Sequence, residues 1–206
     1  HPEVKTYVGT FNTNRLDYVE KIMDGLQGEV SGMGLQWEGR DNLTALRQRY
    51  PDLHLISSES ECGNGSMDWR AGEHTFHLLC DYIGKGCDEY FIWNFILCDQ
   101  GQSAWGWKQN ALVQVKSANR SFRYTPEFYA VKHFSNQVPP GSRVLAYTPR
   151  EASKGIPLIA FQRSDGKLVV VAGNQTNEPQ QVTIQLRKKY LNATLPPHSF
   201  HTFAEK

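Results

Sequence analysis

The sequence predicts an α/β region followed by a small all-β region. Up to about residue 100, short apolar runs alternate with segments of helical periodicity, which is typical of βαβ units and a parallel sheet. The chain then breaks at Pro139-Pro140-Gly141, and beyond this point apolar and polar residues alternate in short runs separated by turn signals. The predicted domains are therefore residues 1–138 and residues 139–206.

Three strand-then-helix units fill the first part of the chain. After each short apolar run, apolar residues recur at the spacing of a helix face. Pro51 ends the second helix, because proline lacks the amide hydrogen that a helix interior needs. The predicted strands are 6–11, 30–37 and 53–58, and the helices that follow them are 16–26, 42–50 and 71–83.

A fourth unit is predicted from residues 90–97 and a helix after residue 125. Residues 90–97 are almost continuously apolar, as expected for a strand that is buried on both faces of a parallel sheet. Thr125, Pro126 and Glu127 give the later helix an N-cap, a proline at its first position and an acid near the positive end of its dipole. We expect this helix to continue to Val138.

Four βα units make about half of a (β/α)8 barrel, which takes roughly 250 residues when it is complete. A half-barrel leaves two sheet edges unpaired, and proteins avoid such edges because their backbone groups seek partners. We therefore expect another polypeptide segment, or a second copy of the chain, to close the barrel. In the all-β region, Ser164-Asp165-Gly166 predicts a turn between strands near 158–161 and 168–171, and residues 182–186 alternate as a further strand.

Composition and charge exclude several classes of protein. Lys and Arg number 22 against 21 Asp and Glu, so the net charge of +1 excludes a general polyanion binder, and no nucleic-acid partner is expected. The longest apolar stretch, residues 90–98, is far shorter than the roughly 20 residues of a membrane helix, so no membrane span is expected. Five Asn-x-Ser/Thr sequons favour an extracellular or secretory-pathway protein: Asn42, Asn64, Asn119, Asn174 and Asn192.

Polar and aromatic residues follow the predicted strands, where the active site of a parallel α/β protein lies. They are Asn12 after the first strand, Gln36, Trp37 and Glu38 around the end of the second, Glu59 and Glu61 after the third, and Trp93 and Asn94 in the fourth. Aromatic faces stack on pyranose rings, and amides and carboxylates hydrogen-bond hydroxyl groups, so this set suits a sugar. The alternative is that the acids cap helices and the tryptophans belong to the core.

The same segments resemble the glucosylceramidase-like family 30 of the glycoside hydrolases. Residues 51–60, Pro-Asp-Leu-His-Leu-Ile-Ser-Ser-Glu-Ser, resemble the strand in which a small residue and a Ser or Thr precede the nucleophilic Glu of that family. Further matches are Val8-Gly9-Thr10-Phe11-Asn12, Trp93-Asn94, Trp105-Gly106-Trp107-Lys108-Gln109-Asn110, His133-Phe134-Ser135 and Pro140-Gly141-Ser142. The resemblance extends over nearly the whole chain.

This resemblance implies the C-terminal half of a (β/α)8 barrel, strands five to eight, followed by a β-sandwich. It implies a retaining β-glycosidase in which Glu59 is the nucleophile at the end of barrel strand seven. The substrate-binding candidates are Trp37, Gln36, Glu38, Trp93, Asn94, Asn12 and Glu61, with Trp37, Trp93 and Asn94 as walls of the sugar subsite. Family members often carry His-Trp-Tyr where this chain has Gln36-Trp37-Glu38, which bears on the sugar preference.

The general acid/base of the family has no counterpart in its expected place. Family members carry it in an Asn-Glu-Pro motif after barrel strand four, whereas Asn177-Glu178-Pro179 lies in the all-β region and predicts a turn. Retention needs two carboxyl groups, so we expect an N-terminal barrel half to supply the acid, with Glu38 and Glu61 as less favoured substitutes. The alternative function is a non-catalytic carbohydrate-binding or scaffolding half-barrel that dimerises.

No cofactor and no metal are expected. His74, His77 and Cys80 are spaced three apart on a predicted helix, which could suggest metal ligands. A spacing of three drifts by about 60° per step on a 3.6-residue helix, so the first and last side chains diverge. A helix face packed on the barrel is the favoured interpretation.

Overall fold

The computed structural model describes residues 1, 3–26, 28–148 and 156–206. The helices are α1 (Leu16–Leu26), α2 (Leu43–Arg49), α3 (Trp69–Gly84) and α4 (Pro126–Ser135), with a 3-10 helix at Trp37–Asn42. The strands are β1 (Tyr7–Phe11), β2 (Gly32–Gln36), β3 (His54–Glu59), β4 (Glu89–Tyr90), β5 (Ile96–Cys98), β6 (Val113–Lys116), β7 (Ser121–Tyr124), β8 (Arg143–Leu145), β9 (Leu158–Gln162), β10 (Leu168–Asn174), β11 (Gln180–Leu186), β12 (Lys189–Leu195) and β13 (Ser199–Ala204). Among these elements, no helix is long and apolar enough to cross a membrane.

The described residues form two compact units. The first contains residues 1–63 and 81–95, and the second contains residues 64–80 and 96–206. The first three predicted strand-helix pairs are confirmed, with small shifts at their ends. The domain boundary between residues 138 and 139 and the half-barrel architecture stay predictions.

The first unit is built on a parallel sheet of four strands in the order β1-β2-β3-β4. Met33 and Leu35 of β2 and Leu55 of β3 are fully buried, and so are Leu43 and Leu46 of α2. Successive side chains of a strand point to opposite faces, so these aliphatic residues give the sheet one apolar face. That face, covered by helical residues, is the core of the unit.

Two glycines in β2 let side chains of β1 and β3 meet across the middle strand. A β-carbon at Gly32 would lie 2.2 Å from the ring of Tyr7, whose hydroxyl contacts His54 Nδ1 at 2.5 Å. A β-carbon at Gly34 would likewise contact Ser58 and Thr10, whose hydroxyls hydrogen-bond to each other across β2. Neighbouring strands lie about 4.8 Å apart, so a glycine in the middle strand leaves the space in which side chains of the two outer strands can meet.

The strand predicted at residues 90–97 is wrong in its extent. β4 ends at Tyr90, and β5 begins at Ile96 and belongs to a different sheet. The apolar run is not buried on both faces, since Phe91, Phe95 and Ile96 are 49%, 62% and 52% exposed. The backbone N–H of Phe91 donates to the carbonyl of Ser57 at 3.0 Å, and the chain then leaves the sheet as a loop.

The second unit contains a three-stranded sheet, β5-β6-β7, and the strands of the C-terminal region. Those strands form an antiparallel sheet in the order β13-β10-β9-β8 and the hairpin β11-β12, which confirms the predicted all-β character of this region. The predicted turn at 164–166 is confirmed, with Gly166 N–H donating to Arg163 O at 2.9 Å. Asn177-Glu178-Pro179 connects β10 to β11, as the turn prediction required.

The predicted start of α4 is confirmed, but its N-cap residue makes different contacts. Thr125 occupies the N-cap position, and the helix ends at Ser135 rather than at Val138. The Thr125 hydroxyl makes no capping bond and donates instead to the carbonyls of Ala111 and Leu112, at 2.8 and 3.2 Å. The buried hydroxyl therefore fastens the start of α4 to the segment before β6.

Candidate active site

All eight predicted site residues lie in the first unit, at or just beyond the carboxyl ends of its strands. Asn12 follows β1, Gln36 ends β2, Trp37 and Glu38 open the 3-10 helix, Glu59 ends β3, Glu61 lies two residues further on, and Trp93 and Asn94 follow β4. Because parallel strands end at the same edge of a sheet, the topology brings carboxylates, amides and indoles from four separate segments to one edge.

Glu59 and Trp37 make the central contact of this edge. β2 and β3 pair Gln36 with Glu59, which places the start of the 3-10 helix beside the carboxylate. Trp37 has a φ of 46°, an uncommon conformation for a residue with a side chain, and its indole N–H donates to Glu59 Oε1 at 3.2 Å. The Trp37 ring is 37% exposed, so the contact leaves part of its surface accessible to a ligand.

Asn12 and Thr13, which follow β1, form hydrogen bonds to both ends of the 3-10 helix. Asn12 Oδ1 accepts the backbone N–H of Glu38 at 3.3 Å, and the side chain of Asn42 donates to the carbonyl of Thr13 at 2.8 Å. Asn12 therefore positions the helix that carries Trp37, while the Glu38 side chain is exposed. Contact of either residue with a sugar stays a prediction.

Glu61 is engaged by an arginine that the sequence analysis did not single out. Arg40 Nη1 lies 3.4 Å from Glu61 Oε1, and Arg40 Nε lies 3.4 Å from Asp81 Oδ2. All three side chains are 24–27% exposed, which weakens solvent screening of these ion pairs. A general acid must reach the leaving oxygen, whereas Glu61 is held by Arg40, so this geometry favours a structural role for Glu61.

Ser60 fixes the loop that carries Trp93, a role that sequence reasoning missed. The Ser60 side chain is buried, and its Oγ accepts the backbone N–H of Trp93 at 3.3 Å. Ser60 also hydrogen-bonds the hydroxyl of Tyr90, whose pKa is raised mainly by burial. The signal in the sequence is a small hydroxyl residue between two acids at the end of a strand. Trp93 itself is 46% exposed and available to a ligand.

Tyr82 links the residues around Ser60 and Arg40. Its ring packs edge-on against Tyr90, with ring centroids 5.2 Å apart, and the Arg40 guanidinium lies 5.8 Å from the Tyr82 ring centroid. Burial raises the pKa of Tyr82 to about 12, so the phenol stays neutral at physiological pH. Tyr82 lies within the predicted helix at 71–83, and only the tertiary structure shows the cation on its ring.

Metal ligation finds no support in the part of the chain that the structure describes. No group of three or more His, Cys, Asp or Glu residues is arranged there to hold a metal ion.

Comparisons with known proteins agree on one family. Residues 141–203 match the β-sandwich domain of glycosyl hydrolase family 30. The chain is similar to the lysosomal acid glucosylceramidase of Mus musculus, with 25% identity over 191 residues that cover 84% of this chain and 36% of the relative. The chain spans 28–36% of the length of the curated relatives that it matches.

Two solved structures share the fold of this chain. SrfJ from Salmonella typhimurium superposes with a TM-score of 0.80 and 24% identity, over 93% of this chain and 44% of that protein. The endo-β1,6-glucanase BT3312 gives a TM-score of 0.76 and 21% identity, over 92% of this chain and 45% of that protein. Taken with the match of residues 141–203 to a family 30 domain, the chain is similar to the C-terminal part of glucosylceramidase-like members of glycoside hydrolase family 30.

Proposed function

We propose that this chain is the nucleophile-bearing part of a retaining β-glycosidase of the glucosylceramidase type, which hydrolyses β-glycosidic bonds by double displacement. The observation that carries the proposal is the Glu59 carboxylate at the carboxyl end of β3, with the indole N–H of Trp37 on its Oε1 at 3.2 Å. A carboxylate oriented at this edge of a parallel sheet has the position that a catalytic nucleophile requires.

The contact with Trp37 orients the carboxylate for attack. Because Oε1 accepts the indole N–H, we assign the attack on the anomeric carbon to Oε2. The new bond between Oε2 and the anomeric carbon gives a glycosyl-enzyme as the bond to the leaving oxygen breaks, and water later hydrolyses this ester with net retention. The N–H donor also stabilises the carboxylate when the enzyme is free.

The sugar is held by the exposed aromatic residues at the same edge. Trp37 and Trp93 are 37% and 46% exposed, and each offers a face on which a pyranose ring can stack. Gln36 at the end of β2 and Asn94 beside Trp93 supply amides for hydroxyl groups. The relatives support a β-linked carbohydrate, since they include a glucosylceramidase and an endo-β1,6-glucanase.

We propose that another polypeptide segment, an N-terminal barrel half, supplies the acid/base and pairs with β1. A retaining enzyme needs a second carboxyl group about 5–5.5 Å from the nucleophile, and the ion pair to Arg40 makes Glu61 a poor candidate. β1 is an edge strand on which Tyr7, Gly9 and Thr10 are exposed, which supports pairing with a further strand. The matched relatives are longer than this chain, and the aligned residues cover only 28–36% of their length.

Covalent labelling tests the assignment of the nucleophile. A 2-fluoro glycoside should trap an ester on Glu59 of the active enzyme, and Glu59→Gln should abolish both the label and turnover, by more than about 10³-fold in kcat. Glu61→Gln is the matched control and should still be labelled at Glu59. Attachment of the label to Glu61, or retention of more than a few percent of activity by Glu59→Gln, would contradict the assignment.

The open edge of β1 also favours the second candidate function, a non-catalytic carbohydrate-binding half-barrel that dimerises. In that case β1 of one copy would pair with a strand of another, and sugar binding would occur without a covalent intermediate. Light scattering separates the two candidates. A homodimer that binds sugars but gives no labelled Glu59 would favour the second, and a complex with a different chain that is labelled would favour the first.

A further inference from the structure

The five glycosylation sequons differ in whether the folded protein leaves the asparagine amide accessible. Asn42 and Asn174 are 4% and 0% exposed. The other three acceptor asparagines, Asn64, Asn119 and Asn192, are exposed to solvent. Oligosaccharide attached to an asparagine needs space outside the protein surface, so burial separates the sequons into two classes.

Asn119 and Asn174 have the same local conformation, so local geometry does not separate these two sequons. Asn119 Oδ1 accepts the N–H and the hydroxyl of Ser121 at 3.2 and 2.7 Å. Asn174 Oδ1 accepts the N–H and the hydroxyl of Thr176 at 3.0 and 2.8 Å. In both cases the residue two positions later closes a small turn onto the asparagine carbonyl.

The amide nitrogens of the two buried asparagines are used by the fold. Asn174 Nδ2 lies within hydrogen-bond distance of the carbonyls of Glu178, Leu195 and Pro196, at 2.8, 3.0 and 3.0 Å. Asn42 Nδ2 donates to the carbonyl of Thr13 at 2.8 Å. A glycan would replace one of the two amide hydrogens and would have to displace the backbone that these groups hold together.

The exposed asparagines are engaged through their oxygens. Asn64 Oδ1 accepts the backbone N–H of Ser66 at 3.1 Å, and Asn192 Oδ1 accepts the Thr183 hydroxyl at 2.8 Å across the β11-β12 hairpin. Asn119 lies in the turn between β6 and β7. In the described part of the chain, Asn64, Asn119 and Asn192 each form side-chain hydrogen bonds only through Oδ1. Because these residues are exposed and their hydrogen bonds are made by the oxygens, we expect their amide nitrogens to have room for a substituent.

We propose that Asn64, Asn119 and Asn192 carry N-linked glycans in a chain that passes through the secretory pathway, and that Asn42 and Asn174 carry none. The co-reactant is a polyprenyl-diphosphate-linked oligosaccharide. A bond forms between the asparagine Nδ2 and the anomeric carbon of the sugar, and the bond from that carbon to the diphosphate oxygen breaks. The diphosphate leaves with the electron pair, and the nitrogen loses one proton to a base. This inference is independent of the hydrolytic function proposed above.

Site occupancy can be measured directly on the folded protein. The full protein is secreted from a eukaryotic host, the monodisperse fraction is treated with peptide N-glycosidase in ¹⁸O-labelled water, and peptides are analysed by mass spectrometry. We expect the ¹⁸O-labelled conversion of Asn to Asp at residues 64, 119 and 192 alone. A glycan on Asn42 or Asn174 in this fraction would overturn the inference, and so would the absence of glycan from all three exposed sequons.

Matched variants separate burial from local sequence. Asn119→Asp should remove one glycan and leave Tm unchanged, whereas Asn174→Asp should leave the glycan number unchanged and lower Tm, because its carboxylate would face three carbonyl oxygens. Thr176→Ala removes the hydroxyl that the Asn174 sequon requires but keeps the Asn174 amide. We expect this variant to be secreted with an unchanged number of glycans. Loss of one glycan from Thr176→Ala would show that Asn174 is an acceptor and would refute the proposal.

Discussion

The parallel sheet of the first unit and the antiparallel sheet of the second use their side chains for different purposes. On the first sheet, Tyr7 and His54 pair across β2, and the strands end at Glu59 beside Trp37. In the second unit, β10 is buried at all seven of its positions and is the central strand between β9 and β13. Polar groups thus converge at an open edge in the first unit, while apolar groups fill the second.

The proposed function assigns the chemistry to the first unit, and the packing of the second unit indicates a contribution to stability. Apolar burial is the dominant favourable term in folding, so the second unit contributes most where its aromatic and aliphatic residues stack. Phe76 stacks on Phe200 with ring centroids 4.6 Å apart and contacts Phe134 at 5.5 Å. The first unit instead keeps indoles and carboxylates partly exposed, as a site for ligands requires. Substitutions in the two units should therefore affect different measurements.

The largest effect on stability is expected from Phe76→Ala in the second unit. Phe76 is fully buried, and removing a buried phenyl ring costs about 3–5 kcal/mol of unfolding free energy. Urea unfolding monitored by fluorescence measures this loss. Trp105→Ala is the control, because Trp105 is 78% exposed and should change stability by less than about 0.5 kcal/mol. Equal destabilisation by both variants would contradict the assignment of Phe76 to the apolar core of the second unit.

The next effect concerns activity, and it is expected in the first unit. Trp37→Ala should reduce kcat/KM by about 1–3 kcal/mol in activation free energy, because both the stacking face and the hydrogen bond to Glu59 are lost. Trp37→Phe keeps an aromatic face but loses the N–H, so its kinetics isolate the contribution of the hydrogen bond. Tm should change little in both variants, since the ring is 37% exposed. A steep fall in Tm with normal kinetics would make Trp37 a core residue.

The sequence predicted regular elements better than it predicted contacts. Helices α1 and α2 follow from helical periodicity, and strands β1 to β3 follow from short apolar runs between the helices. The run at 90–97 misled because hydrophobicity does not say whether a residue is buried, and Phe95 is 62% exposed. The placement of site residues at strand ends followed from topology, since parallel strands share an edge.

Residues that act through tertiary contacts could not be predicted in this way. Ser60 holds the loop of Trp93, and Arg40 binds Glu61, yet both partners are more than 20 positions away along the chain. Buried serines and arginines near strand ends are frequent, and only the distances distinguish those that position a site. Asn12 is a predicted sugar ligand, and this role stays a prediction. The structure adds a contact that the sequence does not show, in which the Asn12 side-chain oxygen accepts the backbone N–H of Glu38.

The smallest expected effect is a pH dependence of stability in the second unit, and it arises from Glu127. The side chain is 7% exposed, and Thr75 donates to its Oε1 at 3.3 Å. Burial is the main cause that raises its pKa above the ordinary 4.5. Since the folded state binds this proton more tightly than the unfolded chain, the contribution of Glu127 to stability is fully present below pH 4.5 and is lost as the pH rises through the folded pKa.

His133 acts in the opposite direction over a higher pH range. Burial lowers its pKa below the ordinary 6.5, so the unfolded chain binds the proton more tightly and stability falls as the pH drops below 6.5. In the wild type, the effects of Glu127 and His133 on stability therefore oppose each other at any pH at which both groups titrate. A variant that cannot ionise at position 127 should therefore show the pH dependence of stability that arises from His133.

Glu127→Gln keeps an oxygen that can accept from Thr75 and has no proton to lose. We expect this variant to match the wild type in stability below pH 4.5 and to become relatively more stable as the pH rises toward 7, where wild-type Glu127 must ionise in a buried site. Urea midpoints measured between pH 4 and pH 8 test this. Glu178→Gln removes an exposed carboxylate from the same unit and should run parallel to the wild type. A constant difference between Glu127→Gln and the wild type at every pH would show that Glu127 does not titrate in this range and that its ionisation does not limit stability.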